Sequence, residues 1–86
     1  MKINGINNNI SISCPGLSSE QDVMISFNPE EGISLEDYKK QKDVYDLIIS
    51  NSYAKTIDNA VKIHILDSNI IDKSNTTECP ILIKVV

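Results

Sequence analysis

Residues 33–52, ISLEDYKKQKDVYDLIISNS, hold the strongest local signal in the chain. Ser34 stands where an N-cap hydroxyl accepts from the amide of Asp37, and an acid at that third helical position can reach back to the cap. Ile33 before the cap and Tyr38 after it supply a hydrophobic staple. Glu36 and Asp37 complement the positive end of the helix dipole. Leu35, Tyr38, Tyr45, Ile48 and Ile49 recur at helical spacing, while Lys39, Lys40, Lys42 and Asp43 face outward. Ser50-Asn51-Ser52 marks the stop. The spacing predicts a helix over 35–51, and the rest of the chain must be arranged around it.

Upstream of this helix the period changes from helical to alternating. Ile10-Ser11-Ile12-Ser13-Cys14 alternates strictly, the signature of a half-buried strand, and Pro15-Gly16 ends it. Val23-Met24-Ile25-Ser26-Phe27 alternates again, before the turn chemistry of Asn28-Pro29-Glu30-Glu31-Gly32. Two such strands, separated by about eight polar residues, are expected to pair as a hairpin. The stretch before Ile10 is rich in Asn and almost uncharged, so it is expected to be loose through Asn9.

Downstream, residues 53–72 support two readings. Ile57, Ala60, Val61, His64 and Ile65 suit a helix capped by Thr56, whereas Val61, Ile63 and Ile65 alternate and are β-branched. The alternation favours a strand at 60–66. Residues 67–78 read as a loop. In the last stretch, 79–86, Ile81, Ile83 and Val85 share one face of a final strand. The fold expected is therefore a small single α+β domain, with about four short strands and one main helix in the order ββαββ. Its expected organisation is a loosely ordered leader, 1–20, with a strand at 10–14, followed by an interaction domain, 21–86.

Composition narrows the function. The chain has 86 residues, 12 acids and 8 lysines, no arginine and a net charge of −4. A nucleic-acid partner is not expected, because neutralising phosphates takes clustered lysine and arginine. Membrane insertion is not expected either: the longest apolar runs, such as Leu47-Ile48-Ile49, fall far short of the ~20 residues of a spanning helix. Lys2 does not lead into an apolar stretch, so no Sec-type signal is expected and the mature chain is expected to start near Met1. The charge is also uneven. Residues 1–19 carry one charged side chain, Lys2, and all the acids follow.

Few residues carry reactive chemistry. Cys14 and Cys79, each followed by proline, are expected as two free and mostly buried thiols. The alternative is a disulfide, which would close a long loop and add roughly 4 kcal/mol. Neither cysteine has the close spacing of metal ligands. His64, the only imidazole, could formally join a cysteine and an aspartate as a nucleophilic set, but no local signature surrounds either cysteine. The expected site is accordingly none: no catalytic residue, no cofactor and no metal. Asp67-Ser68-Asn69-Ile70-Ile71-Asp72 lacks the glycine and glutamate of a calcium loop. Asn9-Ile10-Ser11 and Asn75-Thr76-Thr77 match glycosylation acceptors at a frequency that chance explains. Lys39, Lys40 and Lys42 suit a solvated helix face better than a docking patch. A chain without a site works by binding, through an edge strand (the final one being favoured), the helix face or the 67–78 loop.

The Asn- and Ser-rich, charge-poor N-terminal stretch resembles the uncleaved secretion signals of type III secreted effectors from enteric bacteria. ISFNPEEGISLEDYKKQKDVYDLIISNSYAKTIDNAVKIHIL, about half the chain, resembles the body of the very small OspE/EspO effectors. The resemblance implies secretion into host cells and binding to integrin-linked kinase at focal adhesions without enzymatic activity. A secretion chaperone would be a further partner. Kinase binding in that group is associated with a tryptophan in the C-terminal third; this chain has none, and no functional residue is carried over. The order strand, EGISLEDY, helix, strand is also similar to the larger DcrB-type domains.

The expected function is a non-enzymatic protein–protein interaction module, delivered as an effector. A small intracellular inhibitor in the bacterial cytoplasm, such as an immunity protein, antitoxin or phage anti-host protein, is the alternative.

Overall fold

The computed structural model describes residues 1–8 and 10–86. The elements run β1 (Lys2–Asn4), β2 (Ile10–Ser13), β3 (Val23–Phe27), α1 (Leu35–Ser50), β4 (Ser52–Ile57), β5 (Ala60–Ile65) and β6 (Glu78–Val85), with a short 3-10 turn at Ser68–Ile70. The α+β class holds, but among the described residues six strands, three before the helix and three after it, replace the expected four in ββαββ order, in two antiparallel sheets ordered β1-β6-β3 and β2-β5-β4.

Helix α1 starts as its cap predicts: the Asp37 amide donates to Ser34 Oγ at 3.1 Å. Its buried stripe is narrower than the spacing suggested. Val44 and Ile48, one turn apart, are buried, whereas Leu35 is 68% exposed. Tyr45 reaches sideways instead, its hydroxyl donating to the Ile25 carbonyl at 3.2 Å. Phe27 packs between Tyr38 and Tyr45, with ring centroids 5.7 and 5.4 Å away.

The expected hairpin between the first two alternating runs does not form. β2 pairs with β5, Ile12 opposite Val61, while β3 pairs with β6, Ile25 opposite Ile83. The undecided segment is a strand pair. β4 and β5 form a hairpin with Asp58-Asn59 as its two-residue turn. Asn59 adopts φ 64°, a left-handed conformation that asparagine tolerates better than most residues. Residues 14–19 clasp this turn. The Asn59 amide donates to the Leu17 carbonyl and the Cys14 amide to the Asn59 carbonyl, each at 2.8 Å. The Gly16 amide donates to Asn59 Oδ1, and the Ser19 amide to Asp58 Oδ1.

The N-terminal stretch also differs from its expectation in the part described. Ile3 pairs with Cys79, and Ile3 and Ile6 are each 2% exposed. The Ile81 amide donates to the Met1 carbonyl at 2.9 Å, and Lys2 bridges to Glu78 at 3.0 Å. Gly5 is required where it stands: its φ is +72°, and a Cβ there would lie 2.4 Å from the Asn75 carbonyl oxygen. Asn9 lies outside the described residues, as does its part of the first glycosylation match.

The 67–78 loop is largely irregular as expected, although the Asp72 amide donates to the Ile6 carbonyl. Ile3, Ile6, Ile10, Ile12, Val44, Ile48, Ile63, Cys79 and Ile81 form one core cluster, so both sheets and the helix share a single interior. Burying it removes aliphatic surface from water at roughly 1.5–3 kcal/mol per large side chain. No helix among the described residues is long and apolar enough to cross a membrane.

Candidate binding surfaces

The residues that could do covalent chemistry are held apart. Cys79 is fully buried on the inner side of β6, and burial pushes its thiol up to about 11. Cys14 is partly buried, and both cysteines are free. His64 projects from the opposite, outer side of β5 and stacks on Tyr53, centroids 4.8 Å apart and planes 18° apart. The formal cysteine–histidine pairing is thus not assembled: Cys79 lies on the inner side, away from His64, and Cys14 follows Ser13, the partner of Ala60, at the other end of β5. Among the described residues no three of His, Cys, Asp and Glu gather as metal ligands. In the aspartates of the 67–72 segment, Asp67 Oδ1 accepts from the Asn69 amide, and Asp72 Oδ1 accepts from the Ser74 hydroxyl and amide. Those Ser74 hydrogen bonds hold the Asp72 carboxyl below its ordinary range.

Two of the three helix lysines are neutralised. Lys40 pairs with Glu36 at 3.2 Å, and Lys42 with Asp46 at 2.5 Å. The Asp46 hydrogen bond raises the Lys42 pKa, and its ammonium lies 5.3 Å from the Tyr45 ring centroid. Little is left of that cluster as a docking patch. The final strand is not an edge: β6 is central, gripped by β1 over 78–80 and β3 over 81–85. Edge-strand docking therefore passes to the outer strands, β1 and β3 in one sheet, β2 and β4 in the other.

Two surfaces then stand out. The first is an open groove of about 310 Å³ where β3, the last turn of α1 and β4 converge. Its apolar lining includes Val23, Met24, Ile49 and Tyr53, of which Met24 is 57% and Tyr53 51% exposed. Both flanking strands are sheet edges, each with a row of backbone groups turned away from its own sheet. Individually exposed apolar side chains are ordinary, but several converging in a concave site between strand edges mark a contact surface.

The second is the outer face of the β2-β5-β4 sheet. The register puts Lys55 directly opposite Lys62, with Ser11 on the other side of Lys62. The Tyr53–His64 stack forms the adjoining row. Sequence reasoning missed both surfaces, since each is created by long-range pairing; only the Lys55–Lys62 juxtaposition was available, through the Asp58-Asn59 turn.

No family model matches the chain, no curated protein matches its sequence, and no solved structure matches its fold.

Proposed function

We propose that the protein is a non-enzymatic interaction module that binds a host protein through the groove between β3, α1 and β4. The supporting observation is the convergence of exposed Met24, Ile49 and Tyr53 between two unpaired strand edges. Such a groove suits an extended segment of a partner: main-chain hydrogen bonds to an edge supply affinity, and alternate apolar side chains supply specificity. The resemblance to OspE/EspO effectors makes delivery through a type III system the route, and integrin-linked kinase the first partner to examine.

Affinity capture from host-cell lysate, run beside capture from bacterial lysate, tests the reading. A partner retained from the host lysate by the wild-type chain, and lost with Met24→Glu, supports it. Retention from the bacterial lysate alone would favour an intracellular inhibitor. A fusion of residues 1–20 to a reporter tests delivery separately, and failure of the reporter to pass a type III system would remove the effector route.

A further inference from the structure

We infer that the outer face of the β2-β5-β4 sheet, centred on Lys55 and Lys62, is a docking site for a carboxylate-rich segment of a partner protein. The site goes beyond the groove and stands on different residues, Tyr53 alone being common to both.

The register carries the inference. Lys55 and Lys62 occupy directly opposed positions in the β4–β5 hairpin. Side chains so placed have Cβ atoms about 4.5–5.5 Å apart, and like charges there are destabilising. Four ion pairs form among the described residues, to Lys2, Lys40 and Lys42, and none includes Lys55 or Lys62. The chain has 12 acids, yet the described positions that share this face are Ser11 and Ser13, Ala60, Lys62 and His64, and Tyr53, Lys55 and Ile57. None of them is acidic. A domain with net charge −4 thus keeps the described positions of one sheet face free of acids and sets two exposed lysines, outside every ion pair among the described residues, at directly opposed positions on it.

Charge complementarity then selects the occupant. Two ammonium groups, with the Ser11 hydroxyl beside them, match two or three carboxylates on an extended peptide. The exposed Tyr53 ring, flat against His64, offers apolar contact at the end of the row. A nucleic-acid strand fits less well. Its phosphates continue in both directions, and beyond this face they would meet a net-acidic molecule.

The test is fluorescence anisotropy of a fluorescein-labelled hexaglutamate peptide titrated with the full chain at low salt. Hexaglutamine and an oligothymidine of equal length serve as the other arms. Saturable binding of hexaglutamate but not hexaglutamine is expected. The Lys55→Gln/Lys62→Gln double variant should weaken binding about tenfold, while Lys39→Gln/Lys73→Gln changes it by less than about twofold. Amide shift changes in the wild-type chain should cluster at Ser11, Tyr53, Lys55 and Lys62, a readout that needs no variant to fold. Absent hexaglutamate binding, equal loss from both double variants, a shift footprint elsewhere, or tighter binding of oligothymidine would each overturn the inference.

Discussion

Lys55 on β4 and Lys62 on β5 face one another across the hairpin, and neither forms an ion pair among the described residues. A pair that only served the fold would be expected to carry opposite charges. Lys62→Glu creates that arrangement and should raise unfolding stability by about 0.2–1 kcal/mol. The same change should abolish hexaglutamate binding. Urea denaturation beside the anisotropy titration checks both; a variant that is no more stable than the wild type would show that the lysine pair imposes no cost.

Ile3 lies in the core against Cys79, on a strand of only three residues. Ile3→Ala should cost about 2–4 kcal/mol, the range of a large-to-small change at a buried aliphatic site. Thermal or urea unfolding measures it. A loss below about 0.5 kcal/mol would mean that the N-terminal stretch is dispensable to the fold, as its composition alone suggests.

The free, buried Cys79 ties stability to alkaline pH. Its folded pKa is raised from 9.0 to about 11, so between those values the unfolded chain releases a proton that the native chain retains. The unfolded state then binds fewer protons, and native stability falls as pH rises, by roughly 1.4 kcal/mol per pH unit for this group. Below pH 9 its contribution is constant. Urea denaturation at pH 8 and pH 10 should show a steeper loss in the wild type than in Cys79→Ala, whose lower starting stability reflects lost packing. Without reductant, a thiol reagent should titrate Cys14 before Cys79 in the native protein and both cysteines on denaturation.

The helix, the strands at β2, β3, β5 and β6, and hence the α+β class, were legible because each carries a local period that burial then uses. β1 was not: Lys2-Ile3-Asn4 has one apolar residue, and its strand character comes from pairing with Glu78, Cys79 and Pro80 at the other end of the chain. β4 was obscured because Ser52-Tyr53-Ala54-Lys55-Thr56-Ile57 alternates weakly, and Thr56 imitates a helix cap. Asp58-Asn59 was the overlooked signal, a turn whose left-handed residue is held by residues 14–17. Sheet membership was beyond local reading. Nothing in Val23–Phe27 distinguishes pairing with β2 from pairing with β6, and that choice makes the final strand central and opens the groove at β3. Met24, Ile49 and Tyr53 are consequently neighbours only in the folded chain.

Site-specific photocrosslinking tests the central claim most directly. With a photoreactive phenylalanine analogue replacing Met24, irradiation in host-cell lysate should yield one discrete adduct, competed by excess wild-type chain. The same analogue at Lys73, an exposed position of the 67–78 loop that does not line the groove, should yield none. No adduct from the Met24 position, or the same adduct from both positions, would contradict the account of the groove as the binding surface.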